Sequence, residues 1–238
     1  MLRLMDMEFR VDDTQNLLAC ADLFAGLTPE QMARVGRGIH RKLFPGGTNI
    51  ITAEQPGEVV YIIMHGTVKI HIEQADGRDV TLAILGRGDT VGEMSLLDSA
   101  GRSASAVTLE DSLLLWMDKA AFQDCVREVP QISQNLVRIL SRRVRLANEL
   151  IQALATLDVY GRVARQLLAF AEKYGHPEAG GEITIPICLT QGDISELVGA
   201  SRKRVNQVMV AFKEQGLVTE VEGKLTIHNR DGLARYCR

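Results

Sequence analysis

Residues 130–157 read PQISQNLVRILSRRVRLANELIQALATL, with no glycine and no proline after Pro130. Strong helix formers carry this stretch through about seven turns. Leu136, Leu140, Arg143, Ala147, Leu150, Leu154 and Leu157 recur at alternating spacings of four and three, the heptad period that seams two helices in a left-handed coiled coil. Ile132, Ile139, Val144 and Ile151 form a second apolar stripe beside it. One stripe is expected to pack on the chain's own domain and the other to meet a partner. The plainer alternative is a core helix within a monomer. Arg143 and Ala147 interrupt the seam at its middle.

The chain before this helix is β-rich. Asn49–Thr52, Val59–Met64, Thr67–Ile72, Val80–Leu85 and Ser112–Met117 are short strand candidates separated by glycine turns at Pro45-Gly46-Gly47, Pro56-Gly57, His65-Gly66, Asp76-Gly77 and Gly86-Arg87-Gly88. Such spacing predicts a small antiparallel barrel or sandwich. Residues 14–24 suit a short amphipathic helix, and Thr28-Pro29-Glu30 opens another with a cap, a first-turn proline and an acid at the positive end. Asp118 caps a short helix that leads into the long one.

After Leu157 the pattern changes. Asp158 caps a helix that stops at Gly175, a polar loop follows, and Ile183–Ile187 is a short strand. Thr190–Gln215 has a helix-turn-helix layout. Thr190 caps a helix burying Ile194, Leu197 and Val198; Gly199-Ala200 turns the chain; Ser201 caps a second helix burying Val205, Val208, Met209 and Phe212. The start of the second helix exposes Arg202, Lys203, Arg204, Asn206 and Gln207, side chains that bind phosphates or donate to base edges in the major groove. A positive helix start ordinarily attracts acids, so three consecutive cations there point to an anionic partner. A hairpin candidate, VTEVEGKLTIHN, turns at Glu222-Gly223.

Composition agrees with two ordinary domains: 238 residues, 46% apolar, 24% charged, net charge −3. Residues 159–238 hold 11 Lys and Arg against 9 Asp and Glu, whereas residues 1–158 hold 16 against 21. The only positive excess lies where the helix-turn-helix lies. No uncharged apolar run reaches the roughly eighteen residues of a membrane span. MLRLMDMEFRVDD carries acids where a signal peptide needs an apolar core, which predicts a cytoplasmic protein. Cys20, Cys125, Cys188 and Cys237 are too scattered for a zinc ribbon or iron–sulfur cluster, and reduced thiols are expected. His40, His65, His71, His176 and His228 are dispersed, and no nucleophile–base grouping appears, so no catalytic role or obligatory cofactor is expected.

Residues 92–104 read GEMSLLDSAGRSA between two strand candidates. Gly92 allows close backbone approach, a short helix near Glu93 would aim N–H groups at an anion, and Arg102 offers a fork to phosphate oxygens. Taken alone, a Glu and an Arg nine residues apart are more often a surface ion pair.

This GE…RSA stretch resembles the phosphate-binding cassette of cyclic-nucleotide-binding domains. Together with the long helix and TQGDISELVGASRKRVNQV, nearly all of residues 17–227 resemble the Crp-Fnr family of transcription regulators. The resemblance implies an α+β fold: a β-roll ligand domain over 1–128, a central dimerisation helix over 129–157, and a winged helix-turn-helix over 158–238. It implies a homodimer on a palindromic double-stranded DNA operator, working with RNA polymerase and hinged near Asp158. It also implies control by a cyclic nucleotide, cyclic AMP foremost.

Residue by residue, it assigns backbone contact with the cyclic phosphate to Gly92, the ribose hydroxyl to Glu93, and the phosphate to Arg102 and Ser103. Met94 and Ala104 flank these, and Arg143 lies beside the base. The family's two base-contacting hydroxyl residues align with Ala147 and Asn148, of which only Asn148 can hydrogen-bond a base. In the recognition helix Arg202 retains a family arginine and is assigned to guanine. Lys203 replaces an acid, and Gln207 replaces a second arginine. Thr190, Ser201 and Asn206 are assigned to phosphates, with Gln191 and Arg204 alongside. Alternatives are a member needing no ligand, one sensing cyclic di-GMP, and a nucleotide-sensing regulatory subunit of an enzyme or channel.

Overall fold

The computed structural model describes residues 18–75, 77, 79–98, 100–178, 180–221 and 223–237. The acidic N-terminal segment and the first part of the helix expected over 14–24 lie outside these residues, as do Asp76 and Glu222 of two expected turns. The chain divides into two compact units: the described residues up to Glu73 with Ala83–Arg142, and Gln74–Leu82 with the residues from Arg143 onward.

The first unit begins with a 3-10 turn, Asp22–Phe24, and helix α1, Pro29–Gly36. Thr28 and Gln31 form a capping box, so the start read from Thr28-Pro29 is correct to the residue. Among the described residues eight strands follow in the chain: β1 (His40–Phe44), β2 (Asn49–Ile51), β3 (Val59–His65), β4 (Val68–Glu73), β5 (Asp79–Leu85, whose first residues divide with the second unit), β6 (Thr90–Val91), β7 (Ser105–Thr108) and β8 (Ser112–Asp118). They form two four-stranded sheets, ordered β1-β8-β3-β6 and β2-β7-β4-β5. One buried residue from each strand (Phe44, Ile51, Ile63, Val68, Leu85, Val91, Ala106 and Leu114) meets in a single cluster. That is the expected interior of a small antiparallel roll.

Strands β3 and β8 are buried on both faces. Their other sides, Val60, Ile62, Met64, Leu115 and Met117, pack with Phe24, Val35 and Phe122 from the helical layer. Two-sided burial is why VVYIIM and SLLLWM read as near-continuous apolar runs. A short helix α2 (Met94–Leu97) joins β6 to β7, and α3 (Lys119–Glu128) is capped by Asp118 through the Ala121 amide.

Helix α4 runs from Pro130 to Thr156. Ile132 and Leu136 enter the first unit's core, and Asn135 donates to the carbonyls of Leu23 and Ala25. The exposed apolar side lies elsewhere: Val137, Val144 and Ile151 are 64, 60 and 64% exposed. Of the leucine seam, Leu136 is committed to the chain's own core, whereas Leu140, Ala147 and Leu154 lie on the side that carries Val137, Val144 and Ile151. The stripe that faces outward is Val137, Leu140, Val144, Ala147, Ile151 and Leu154, at spacings of three and four throughout. Arg143 flanks this stripe and does not break it.

In the second unit, Asp158 caps α5 (Val159–Tyr174) through the Gly161 amide. Strands β9 (His176–Pro177), β10 (Ile183–Ile185), β11 (Val218–Val221) and β12 (Lys224–Ile227) form a sheet ordered β11-β12-β10-β9. Helices α6 (Gln191–Leu197) and α7 (Arg202–Glu214) precede the β11–β12 hairpin; α8 (Arg230–Ala234) and a 3-10 turn, Arg235–Cys237, follow it. Among the described residues no helix is long and apolar enough to cross a membrane.

Candidate ligand and DNA-binding sites

In the first unit, Gly92 through Ala104 wraps one end of the roll. Gly92 sits at φ +88, and a Cβ there would lie 2.6 Å from Arg102 Nη1, 2.9 Å from Ile51 and 3.1 Å from the Val59 carbonyl. Only glycine leaves space for the arginine. Arg102 is buried, 8% exposed. Its Nη1 donates to the Gly92 carbonyl at 2.6 Å and to Ser95 Oγ at 2.9 Å; its Nη2 donates to the Val59 carbonyl at 2.5 Å. Three of the five guanidinium N–H groups are thus held by the protein, leaving two. Burial pulls the guanidinium below its ordinary pKa, and Tyr61, Glu93 and Glu58 oppose that pull.

The backbone around the arginine is fixed as well. Arg102 N donates to the Gln55 carbonyl, Glu54 N donates to the Arg102 carbonyl, and Ala53 N donates to Ser105 Oγ. Gly57 lies so close against Ser95 that a Cβ would overlap its hydroxyl. Glu93 is 1% exposed, whereas Ser103 and Met94 are exposed and Ala104 is half-buried. An isolated surface ion pair is excluded for Arg102: it is a buried cation with backbone partners.

Sequence reasoning missed Val59, Ser95, Gly57 and Tyr61. Carbonyl partners leave no trace in residue identity. The Pro56-Gly57 pair was visible as a turn, but not as a close approach. Tyr61 packs edge-on against Phe44 with ring centroids 5.9 Å apart, and burial raises its hydroxyl pKa while Arg102 lowers it. The remaining predicted ligand residues, Arg143, Ala147 and Asn148, belong to the second unit and lie along α4. Ala147 and Asn148 are exposed, and Arg143 is partly so.

The DNA-binding candidates gather at the N-terminal ends of α6 and α7. Thr190 and Asp193 form a capping box on α6, and Ser201 caps α7 through the Arg204 amide. Each cap contributes about 1 kcal/mol to a helix too short to persist alone. Gly199 adopts φ +60 in the turn between them. Val205, Val208, Met209 and Phe212 are buried, so Ser201, Arg202, Lys203, Arg204, Asn206 and Gln207 are presented outward. Gln191 is half-buried. The Thr190 hydroxyl is engaged by Asp193, whereas Ser201 Oγ accepts one bond and keeps its hydrogen to donate. Arg204 lies over the Tyr160 ring, 5.6 Å from its centroid, and donates from Nη1 to Gln207 Oε1 at 3.1 Å.

The family models match in the same order: a cyclic nucleotide-binding domain over residues 41–129 and a Crp-like helix-turn-helix domain over 161–236. The fold and site therefore define a DNA-binding transcription regulator with a cyclic-nucleotide-binding domain, and not an enzyme. The chain is 38% identical over 223 residues to the CRP-like cAMP-activated global transcriptional regulator of Mycobacterium tuberculosis, covering 93% of this chain and 99% of that one. It belongs to the Crp-Fnr family. Among solved structures, the Thermus thermophilus catabolite activator protein is 31% identical with TM-score 0.51, over 91% of this chain and 98% of that one. FixK2 from Bradyrhizobium japonicum, 20% identical over 84% and 98% with TM-score 0.73, shares the fold.

Proposed function

We propose that the protein is a homodimeric transcription regulator whose affinity for a palindromic operator is set by cyclic AMP. The cyclic phosphate would sit at Gly92, Arg102 and Ser103, with Glu93 on the ribose hydroxyl and Met94 and Ala104 lining the approach. The observation that carries this reading is the buried Arg102: a fixed cation with two N–H groups still available, beside a backbone that only glycine can follow. The names of the Mycobacterium tuberculosis relative and of the cyclic AMP receptor protein of Thermus thermophilus, 33% identical over 82% of this chain, support cyclic AMP as the effector. Asn148 would supply the hydrogen bond to the base that Ala147 lacks, with Arg143 adjacent.

The partner across α4 would be a second copy of the chain. Val137, Val144 and Ile151 at one heptad position and Leu140, Ala147 and Leu154 at the other follow the β-branched and leucine alternation of parallel two-stranded coils. Residues 1–128 would then form the ligand domain, 129–157 the dimer helix and 158–238 the DNA-binding domain. Arg202, Lys203 and Gln207 would face base edges, with Gln191, Ser201, Arg204 and Asn206 nearer phosphates. A cytoplasmic location and recruitment of RNA polymerase follow from that role.

The test is calorimetric titration of the protein with cyclic AMP, cyclic GMP and cyclic di-GMP, followed by binding to a palindrome selected from random DNA. Cyclic AMP should bind and raise DNA affinity by roughly 5- to 150-fold. Arg102→Leu should abolish nucleotide binding while the dimer persists. Unchanged nucleotide affinity in that variant would overturn the site, and full DNA affinity without nucleotide would overturn the control.

A further inference from the structure

Tyr160 is the second residue of α5, outside the recognition helix, and nothing in its own position suggests contact with DNA. Its ring is nevertheless fixed from three directions. It meets Phe212 of α7 edge-on with centroids 5.9 Å apart, and it lies nearly parallel to Tyr236 at 5.8 Å. Phe212 is fully buried, and Tyr236 is held by its hydroxyl donating to Gln215 Oε1 at 2.9 Å. The third contact is the Arg204 guanidinium, 5.6 Å from the ring centroid.

We propose that Tyr160 is a positioning residue for base recognition: it seats Arg204, and Arg204 fixes which end of the Gln207 amide is presented to the groove. The chemistry of the two side chains forces the orientation. A guanidinium only donates, so the atom of Gln207 that faces Arg204 Nη1 at 3.1 Å is the carbonyl oxygen, and the NH2 group points away. Glutamine recognises adenine through both ends of its amide, the oxygen accepting from N6 and the nitrogen donating to N7. With that oxygen turned toward Arg204, one of its two lone pairs occupied and the NH2 group facing away, Gln207 is biased toward edges that only accept, namely guanine N7 and O6 or thymine O4. A residue on α5 thereby sets base preference on α7. Arg204 is correspondingly withdrawn from the role of an independent base reader.

This inference rests on α7 entering the major groove as proposed above. The experiment selects binding sites from random DNA, with saturating cyclic AMP present and again without it, using the unaltered chain and Tyr160→Phe, Tyr160→Leu, Arg204→Met and the Tyr160→Leu/Arg204→Met double variant. The position read is the one whose preference disappears in Gln207→Ala. The unaltered protein and Tyr160→Phe should favour guanine or thymine there. Tyr160→Leu and Arg204→Met should each move the ratio toward adenine by roughly threefold or more, the scale of one cation–π contact. The double variant should show no further change.

A folded Tyr160→Leu protein with the original ratio overturns the proposal. So does a Tyr160→Phe protein that shifts as Tyr160→Leu does, or a double variant whose effects add. Should Tyr160→Leu not fold, Arg204→Met leaves the aromatic cluster intact, and an unchanged ratio in it is decisive against the proposal. An unaltered protein that selects no sequence overturns the DNA reading itself, and all variants then fail together.

Discussion

The Arg102 guanidinium donates to the carbonyl of Gly92 at 2.6 Å, so the two residues read as ligand contacts are also each other's support. The glycine must lack a Cβ for the arginine to lie where it does, and the arginine holds the glycine's turn closed. Gly92→Ala places a methyl against the backbone carbonyl of Val59 as well as against Arg102, at a positive φ. It should destabilise the first unit by about 2–4 kcal/mol and displace the guanidinium. Chemical denaturation measures the first effect and nucleotide titration the second. A variant as stable as the parent would mean the turn is more pliable than this packing allows.

The outward and inward sides of α4 predict opposite phenotypes. Val144→Glu puts a charge on the exposed stripe and should weaken self-association by roughly tenfold or more, with little loss of fold. Leu136→Ala, one residue from Val137 but inside the core, should cost about 2–5 kcal/mol of stability and leave the association constant of the folded protein unchanged. Sedimentation equilibrium together with thermal unfolding separates the two. The reverse pattern would restore the seam as the leucine spacing alone suggests it.

The two sides of α4 show where the sequence was informative. Helix starts were legible because caps are local chemistry: Thr28, Asp118, Asp158, Thr190 and Ser201 all accept the amide their positions foretell. Strand β1 was not legible, since HRKLF lies at a sheet edge, exposed along four of its five residues, and shows no alternation. Strand β7, SAVT, hid behind small residues at the end of the ligand motif. Leucines at spacings of three and four cannot reveal which of two surfaces they face. The partners of Arg102 are mostly carbonyls, which every residue carries.

Arg202→Ala should lose about 1–3 kcal/mol at one base pair of each half-site and little elsewhere. Arg202 is exposed on the first turn of α7, so its removal leaves the buried face of the helix intact. Binding measured against a panel of single-base operator variants distinguishes this from a phosphate contact, for which the loss would be uniform and the salt dependence shallower.

The thiols should react in a set order. Burial first, then the Asp124 and Glu128 carboxylates, raise the Cys125 thiol pKa against Arg34, and burial raises that of Cys237 against Arg165. Cys20 is exposed. Alkylation near pH 8 followed by mass spectrometry should label Cys20 well before Cys125 or Cys237. A folded-state pKa above the unfolded one means that the protonated thiol suits the fold. That contribution is intact below the unfolded thiol's pKa of about 8.5 and is lost as pH rises through the folded value. Melting temperature should therefore fall faster on the alkaline side in the parent than in Cys125→Ala.

Helix α4 is embedded in the first unit's core through Ile132, Asn135 and Leu136, and toward its other end Ala153 is buried and Glu149 pairs with Arg165 at the surface. The turns between, Arg142 to Asn148, are almost wholly exposed. Their helicity is sustained by backbone propensity and by whatever covers the outer stripe. The stiffness of that span is accordingly a quantity that a single surface residue can tune. Arg145→Gly removes no core contact, yet it should lower the cost of local opening by about 1 kcal/mol, and amide hydrogen exchange would register this at residues 142–148 alone.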